Sequence, residues 1–264
     1  YFQQEAGGEF FVVNPQPMRT KDTTGEEISK EELAEKNTKY KFPAVSASLT
    51  TRWCSGVAKI DVMKKAINNS ERFNNANIII LTGERREEST ARSLYIEFEK
   101  HGSYTIKRKV ISWRSIVAWS EKQVWAIMEK HLVQAHPCYE LGWGRCSCQL
   151  CIFSSANHWA SINEINPEKI KRVAQIEKEI GHTLYNEHEK IEDGATKDGK
   201  IKYKKSKIKL NIYGAKVEKG KSFLQELSKK RWEKEANGEF VSPIFVKEWK
   251  IPVGAFDGEN CGAN

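Results

Sequence analysis

Short apolar runs bounded by polar turns mark the first part of the chain and predict the strands of a sheet. The run NIIILTG (77–83) is compact, rich in isoleucine and ends in glycine, which predicts a central strand of a parallel sheet. The run FFVVNP (10–15) ends in proline and predicts a second buried strand. Residues 104–113 alternate apolar and polar side chains and predict a third.

Two segments with apolar residues at helical spacing lie among these strands. One is WCSGVAKIDVMKKAI (53–67), and the other is SEKQVWAIMEKHL (120–132), where Ser120 is a suitable N-cap. Strands that alternate with helices are typical of parallel α/β sheets. The pattern therefore predicts an α/β fold.

The sequence becomes more highly charged after residue 160, and we place a domain boundary there. Residues 1–160 form the predicted α/β domain, and residues 161–264 form a charged α+β C-terminal extension. The extension begins with NPEKIKRVAQIEKEIGHTLYNE, an amphipathic helix with proline in its first turn. Residues 194–221 contain ten lysines among alternating Ile, Tyr and Leu, which predicts a β-hairpin or an extended arm. A further helix is predicted in SFLQELSKKRWEKEA.

The composition is that of a globular protein and predicts no association with a membrane. Of the 264 residues, 39% are hydrophobic and 30% are charged, and no run approaches the ~20 apolar residues that a membrane span needs. The stretch YFQQEAGGEF lacks the basic and apolar regions of a signal peptide, so we predict a cytoplasmic protein. The net charge of +8 permits anionic partners such as nucleotides or nucleic acid.

The segment LTGERREESTAR (81–92) predicts an oxyanion site directly after the first parallel strand. In open α/β sheets, ligands bind beyond the carboxyl ends of the strands, and a glycine there lets a ligand approach the backbone. Arginine supplies planar, permanently charged donors for phosphate or sulfate. The candidate residues are Gly83, Arg85, Arg86, Glu88, Ser89 and Arg92. The alternative is a solvated loop in which the arginines pair with neighbouring glutamates.

Three of the six cysteines lie within WGRCSCQLCIF (143–153) and are candidate metal ligands. Cys148 and Cys151 form a C-x-x-C, which is the usual half-site of zinc and iron–sulfur centres. The candidate ligand set is Cys54, Cys146, Cys148 and Cys151, with Cys138 as the alternative to Cys146. The competing interpretation is that some of them are small buried hydrophobic side chains. Low, clustered cysteine usage indicates a reducing compartment rather than a disulfide framework.

The last cysteine, Cys261, lies in GENCGAN between Gly258 and Gly262. The flanking glycines predict a mobile segment, and a mobile, exposed thiol can attack a substrate and then withdraw. The alternative is a terminal tail with an incidental cysteine.

In their order along the chain, these stretches resemble the phosphoadenosine phosphosulfate (PAPS) reductase family of the PP-loop, or adenine nucleotide alpha-hydrolase-like, superfamily. In that family a Cys–Lys segment precedes a strand and a G-x-R-x-x-E-S-x-x-R motif. A W-(S/T)-x-x-x-V-W helix, an (N/H)-P-x-Y-x-x-G turn and a C-x-x-C then follow. The matching residues are Cys54 and Lys59; Gly83, Arg85, Glu88, Ser89 and Arg92; Trp119, Ser120, Val124 and Trp125; His136, Pro137, Tyr139 and Gly142; and Cys148 and Cys151. The resemblance covers residues 40–155.

The resemblance implies a reaction and the residues that perform it. The implied substrate is an adenylyl-sulfate-type nucleotide such as PAPS or adenylyl sulfate (APS), bound by Lys59, Gly83, Arg85, Glu88, Ser89 and Arg92. The implied cofactor is a [4Fe–4S] cluster on the cysteine set, with zinc as the alternative. Reductases of the family carry a catalytic cysteine in a C-terminal E-C-G-x-H tail, which GENCGAN resembles, so Cys261 is the predicted nucleophile. A thioredoxin-like dithiol donor would release sulfite from its S-sulfonate.

Two features of the chain leave other functions open. The family's S-G-G-x-D-S phosphate loop and the strand before it are not found in this sequence, which predicts that a partner chain or an N-terminal segment supplies them. One alternative is therefore a non-catalytic, metal-stabilised subunit or virion component. The lysine-rich arm (197–221) indicates another, a sulfur-handling protein of nucleic-acid modification similar to DNA phosphorothioation. Phage and bacterial relatives look closer to this chain than the assimilatory enzymes do.

Overall fold

The computed structural model describes residues 2–6, 9–13, 26–27, 29, 31–32, 39–46, 48–196, 198–222, 224, 226–239 and 243–256. The predicted nucleophile Cys261 lies outside these residues. The first two strands, β1 (Phe2–Ala6) and β2 (Glu9–Val13), form an antiparallel hairpin in which Phe2 lies opposite Val13. The strand predicted in FFVVNP (10–15) is therefore present as β2.

A three-stranded sheet contains β3 (Asn77–Leu81), β4 (Phe98–Lys100) and β5 (Lys109–Trp113) in the order β3-β5-β4. β3 runs parallel to β5, and β4 runs antiparallel to it. The parallel pair and the helices around it confirm a mixed α/β fold. Among the described residues β3 is an outer strand of this sheet, whereas the sequence predicted a central one. Its alternate side chains, Ile79 and Leu81, are 59% and 64% exposed.

The strand predicted over residues 104–113 is shorter than its alternating pattern indicated. β5 begins at Lys109 because Thr105 and Arg108 exchange backbone hydrogen bonds of 2.8 and 3.2 Å, which close a turn. The turn connects β4 to β5, and its tip residue Ile106 is 97% exposed. Alternation alone cannot distinguish a strand from a turn that carries the same residue types.

The helix predicted over residues 53–67 is present with an irregular centre. It consists of α1 (Trp53–Ser55), a π-helical segment (Gly56–Ile60) and α2 (Asp61–Asn69). The backbone N–H of Asp61 bonds to the carbonyl of Gly56, which is the i→i+5 spacing of a π turn. The buried face of α2 is formed by Val62, Ala66 and Ile67.

Two helices follow the parallel strands, and the sequence predicted the second of them. A 3₁₀ turn (Arg86–Glu88) and the short helix α3 (Thr90–Ser93) follow β3. The longer helix α4 (Glu121–Lys130) begins after Ser120, whose hydroxyl accepts a hydrogen bond from the backbone N–H of Gln123 at 3.2 Å. The Gln123 side chain accepts from the backbone N–H of Ser120 at 2.8 Å, which completes a capping box.

The main hydrophobic cluster joins four helices: α5 (Pro137–Glu140), α6 (Ala156–Ile165), α7 (Pro167–Ile180) and α8 (Ile212–Ala215). Its buried side chains are Cys138, Leu141, Trp143, Ile152, Trp159, Ile162, Ile170, Val173, Leu184, Tyr185, Ile212 and Ala215. The predicted domain boundary at residue 160 falls inside α6. The cluster contains residues from both sides of that position.

Glu177 on α7 is a buried carboxylate that joins three segments of this cluster. Its two oxygens accept hydrogen bonds of 2.8 Å from the backbone N–H groups of Leu184 and Ile212. Burial raises the pKa of Glu177, and these two hydrogen bonds act in the opposite direction. The end of α7 and the start of α8 are therefore held together by one side chain.

The lysine-rich stretch forms the predicted hairpin. Strands β6 (His188–Ala195) and β7 (Ile201–Lys209) pair antiparallel, and almost all of their side chains are exposed. A helix predicted in the sequence follows as α9 (Glu226–Ala236). Within the described residues no helix is both long and apolar enough to cross a membrane.

Candidate functional site

The loop after β3 lies at the carboxyl end of the parallel strand pair. Its backbone bonds to the segment after β5, from Thr82 N–H to the Trp113 carbonyl at 3.1 Å and from Arg86 N–H to the Val117 carbonyl at 2.9 Å. A Cβ atom at Gly83 would lie 3.8 Å from Ile116, which is ordinary van der Waals contact. The protein itself therefore does not require glycine at this position.

Glu88 brings the two arginines of the predicted oxyanion site together. Arg85 lies 3.5 Å from one carboxylate oxygen of Glu88, and Arg92 forms a close ion pair with the other. Arg85 also pairs with Glu87 at 2.8 Å. Ser89 is the N-cap of α3, because its hydroxyl accepts from the backbone N–H of Arg92 at 3.3 Å. Four of the predicted residues thus lie together, and their arginines pair with glutamates as the alternative interpretation expected.

The remaining arginine of this loop points elsewhere. Arg86 donates from Nε to the carbonyl of Tyr95 at 3.0 Å, and it does not pair with Glu88. The side chain of Arg85 is 14% exposed and that of Arg92 is 36% exposed. Arg92 is therefore the more accessible of the two guanidinium groups that share Glu88.

Arg114, directly after β5, holds the loop after β3 in place through hydrogen bonds. The sequence interpretation missed this residue. Its guanidinium group bonds to the carboxylates of Glu84 at 2.8 Å and Glu99, and to the carbonyl of Ile96 at 3.0 Å. The same group lies 4.4 Å from the centre of the Tyr95 ring. Hydrogen bonding to Glu99 and Glu84 raises the pKa of Arg114 although burial opposes it. The available signal was a single charged residue at the end of the strand, VISWR.

The predicted cysteine ligands separate into two groups. The first contains Cys54, from α1, and the C-x-x-C pair Cys148 and Cys151. Burial raises the pKa of the Cys54 thiol, and the nearby thiols of Cys151 and Cys148 raise it further. Three thiols from distant parts of the sequence are thus within electrostatic reach of one another.

A guanidinium group with unused donors borders this first group. Arg145 Nη2 lies 3.9 Å from the Cys151 sulfur, while its Nε and Nη1 atoms are buried and have no hydrogen-bond partner among the described residues. The same guanidinium group also lies over the Phe153 ring, 5.8 Å from its centre. Among the described residues, the ligand atoms of Cys54, Cys148 and Cys151 do not all lie within 4.8 Å of one another, so these thiols are neighbours without standing at metal-binding spacing.

The second group contains His136, Cys138 and Cys146, whose ligand atoms all lie within 4.8 Å of one another. A hydrogen bond from the Cys138 thiol lowers the pKa of Cys146 to about 6, and the charges of His136 and Lys59 act in the same direction. The same interaction and burial raise the pKa of Cys138. The sequence interpretation named both cysteines but not the imidazole, although His136 stands only two residues before Cys138.

Lys59, predicted to bind substrate, lies near the second cysteine group. It belongs to the π-helical segment, and its charge reaches Cys146. The predicted nucleophile Cys261 cannot be placed relative to either group because it lies outside the described residues.

Comparison with known proteins gives a family match over the part of the chain that carries these groups. Residues 20–154 match the phosphoadenosine phosphosulfate reductase domain. An uncharacterized 37.8 kDa protein from the gpa 5′ region of Escherichia phage 186 is 30% identical over 140 residues. The alignment covers 53% of this chain and 40% of the phage protein, so the chain spans less than half of that relative. No solved structure gives a significant match.

Proposed function

The chain belongs to the phosphoadenosine phosphosulfate reductase domain family, and from that membership we propose that it acts on the sulfur of an adenylyl-sulfate-type nucleotide. One observation carries the proposal. The G-x-R-x-x-E-S-x-x-R motif lies at the carboxyl end of parallel strand β3, inside the matched residues. This end of an open α/β sheet is where nucleotide ligands bind.

Arg85 and Arg92 are the proposed contacts to the sulfate or phosphate oxygens. Glu88 holds the two guanidinium groups side by side, and each has five N–H donors, of which Glu88 uses only a part. Ser89 contributes the start of α3 and fixes the position of Arg92. Gly83 leaves the backbone at the end of β3 open to the ligand.

Cys261 is the proposed nucleophile of the sulfur step. Its thiolate would attack the sulfate sulfur, forming an S–S bond while the bond from that sulfur to the bridging oxygen breaks and its electron pair leaves on the nucleotide phosphate. A thiolate of a thioredoxin-like dithiol would then attack the Cys261 sulfur and release sulfite. The second thiol of the donor would close a disulfide and regenerate the Cys261 thiolate. The two electrons that reduce the sulfur therefore come from the dithiol.

Cys54, Cys148 and Cys151 are the proposed thiolate ligands of an iron–sulfur cluster, with zinc as the alternative. When bound, such a group supplies fixed charge and a covalent clamp between α1 and the segment 148–151. The unpartnered N–H groups of Arg145 would donate to its sulfur atoms. Metal and acid-labile sulfide analysis of the purified chain distinguishes the two metals.

Nucleotide binding tests the proposed substrate site. Arg92→Met should weaken the binding of PAPS or APS by about tenfold or more, because a charge-assisted hydrogen bond contributes about 1.5–3 kcal/mol. The matched control is Arg172→Met, which removes an exposed arginine paired with Glu179 on α7. Titration calorimetry should leave the control unchanged. Equal affinity for adenosine monophosphate and for the sulfated nucleotides would contradict the proposal.

Sulfite release tests the sulfur step. The full chain, combined with the segment or partner that supplies the phosphate loop, should release sulfite from PAPS or APS in the presence of a dithiol. Cys261→Ser should abolish release and leave nucleotide affinity intact. Undiminished release by Cys261→Ser would eliminate this residue as the nucleophile.

A second candidate function, action on nucleic acid, is favoured by the hairpin β6–β7. Lys190 and Lys205 lie directly opposite each other, and like charges in that position destabilise a strand pair. A bound polyanion would relieve this repulsion. The exposed lysines of β7 are Lys202, Lys204, Lys205, Lys207 and Lys209.

Salt dependence tests the second candidate. Neutralising Lys202, Lys205 and Lys207 with glutamine should weaken DNA or RNA binding and flatten its dependence on salt concentration, since fewer counterions are released. Replacing Lys171 and Lys178 on α7 is the control. Binding that is equally weak in both variants and in the original chain would leave the hairpin without this role.

A further inference from the structure

His136, Cys138 and Cys146 form a compact set of metal-binding side chains outside the cysteine group already described. Their ligand atoms all lie within 4.8 Å of one another. In the ranges that the structure describes, no other set of three histidine, cysteine or acidic side chains is as tight. Ligand atoms around one tetrahedral zinc ion stand about 3.5–4 Å apart, given bonds of about 2.0–2.3 Å. Small side-chain rotations would bring the three atoms to that spacing.

The local backbone builds this set from two directions. His136 precedes α5, and its Nδ1 atom accepts a hydrogen bond from the backbone N–H of Cys138 at 3.2 Å. This hydrogen bond uses the single lone pair of Nδ1, so an ion that binds this atom would take the place of the Cys138 N–H. Pro137 occupies the first turn of α5 and fixes the backbone between the two ligands.

The following loop returns Cys146 to the same place. Gly142 has a φ of +82°, which turns the chain back, and the backbone N–H of Trp143 bonds to the Cys138 carbonyl at 3.1 Å. The backbone N–H of Cys146 bonds to the Tyr139 hydroxyl at 3.2 Å. These bonds hold the loop over α5 before any ion binds.

We propose that His136, Cys138 and Cys146 bind a single divalent transition-metal ion of zinc type, as a site separate from the group held by Cys54, Cys148 and Cys151. Two thiolates and one neutral imidazole balance the charge of a divalent ion, and this mixed donor set suits zinc. Cys138 is 2% exposed, whereas His136 and Cys146 are exposed. Three protein ligands at the surface leave the fourth position of a tetrahedral ion to water or to a ligand.

The proposal also divides the cysteines by role. Cys146 belongs to the single-ion site and not to the iron–sulfur or zinc group of the C-x-x-C. Its neighbour two residues on, Cys148, belongs to that other group. The two sites would therefore load independently.

Cobalt titration of the full, reduced chain tests the proposal, because cobalt replaces zinc and absorbs visibly when thiolates bind it. Cys146→Ser and His136→Asn should each remove one equivalent of bound cobalt or lower the affinity of this site for cobalt. The loss of affinity should exceed the roughly 10–100-fold that follows when a residue supporting a metal ligand is replaced. Asparagine at position 136 keeps an N-cap oxygen for α5, so this variant removes the imidazole but not the cap. Cys54→Ser is the matched control and should retain this equivalent.

Three results would overturn the proposal. The first is unchanged cobalt binding in Cys146→Ser and His136→Asn. The second is loss of the same equivalent in those variants and in Cys54→Ser, which would place all these cysteines on one shared group. The third is a chain that binds no cobalt and instead forms a Cys138–Cys146 disulfide on mild oxidation.

Discussion

At the scale of single residues, Arg114 joins the loop after β3 to both neighbouring strands. Its side chain is 9% exposed, and it forms ion pairs with Glu84 of the loop and Glu99 of β4. The planar guanidinium group reaches these two and the Ile96 carbonyl at once, which a lysine ammonium cannot do with the same geometry. The arginine therefore fixes the position of the loop that carries Arg85.

Arg114→Lys should lower the free energy of unfolding by about 1.5–3 kcal/mol, because at least one hydrogen bond to a charged group is lost. Chemical denaturation measures the change. Arg108→Lys is the control, since Arg108 is a half-buried arginine whose side chain bonds to the neutral Asn68 and not to a carboxylate. A loss as small as that of the control would contradict the assigned role.

Arg145 gives a second prediction at this scale. Arg145→Met should reduce the metal content of the purified chain, because it removes the guanidinium group that lies 3.9 Å from the sulfur of Cys151, one of the proposed ligands. The metal-free chain should be no less stable, since each buried donor without an acceptor costs about 1–3 kcal/mol. Metal analysis and denaturation of the metal-free protein check both parts. A large destabilisation of the metal-free variant would mean that Arg145 has another partner.

The cysteines among the candidate ligands could be named from the sequence, but the His136 imidazole and the grouping of the ligands could not. Spacing marks Cys146 and Cys148 equally, since both lie in one short loop. Their separation depends on the turn at Gly142 and on the hydrogen bond between Cys146 and Tyr139. Such contacts depend on three-dimensional placement, which residue spacing does not contain.

At the scale of elements, α7 is attached to α8 through the carboxylate of Glu177. Since burial raises the pKa of Glu177, the folded protein holds the proton more tightly than the unfolded chain does. The tighter proton binding stabilises the folded state. This stabilisation is fully present below pH 4.5, the ordinary pKa of a glutamate, and is lost as the pH rises through the raised pKa of Glu177.

Glu177→Gln should remove this pH dependence, because glutamine does not titrate. At low pH the variant should be less stable by about 1–3 kcal/mol, since its amide nitrogen would face one of the two backbone N–H groups that Glu177 accepts. Denaturation at a series of pH values on both sides of 4.5 measures the difference. Glu179→Gln on the same helix is the exposed control, and identical pH profiles for all three proteins would refute the prediction.

Whether a segment forms a helix or a strand could be predicted from the sequence, whereas the segments against which it packs or pairs could not. Ser120 and Gln123 identified the start of α4 because a capping box is formed by residues close in sequence. The apolar run of β3 predicted burial on both faces, yet the pairing of a strand depends on segments far away along the chain. The turn that shortens β5 has the same origin, since a local hydrogen bond replaced a strand pair there.

At the scale of the whole molecule, β3 presents an unpaired edge and an apolar face among the described residues. Ile79 and Leu81 are exposed together there, and apolar edge strands are prone to pair with other chains. This face and the site loop share one end of the sheet.

Ile79→Lys should reduce self-association while the free energy of unfolding changes by no more than about 0.5 kcal/mol, as for an ordinary surface substitution. Light scattering at increasing protein concentration measures the effect. Ile106→Lys, at a turn tip that is 97% exposed, is the control and should not alter association. A destabilisation well above that range would show that Ile79 is covered in solution.

The division into two domains at residue 160 stays a prediction. Trp159 and Ile162 are both fully buried in one cluster, and they lie on opposite sides of that position. A chain cut at residue 160 would expose both side chains. The charge change that marked the boundary describes the surface, whereas the cluster follows the apolar positions.

The π turn at Gly56–Ile60 sets the phase between Cys54 and the rest of its helix. Each residue of an α-helix advances the side-chain direction by about 100°, so the extra residue of the π turn rotates Cys54 by about that angle relative to the buried face of α2. Deleting one residue in this turn would make the helix regular and more conventional. It would also swing the cysteine away from Cys148 and Cys151, so this segment tolerates a change of side chain far better than a change of length.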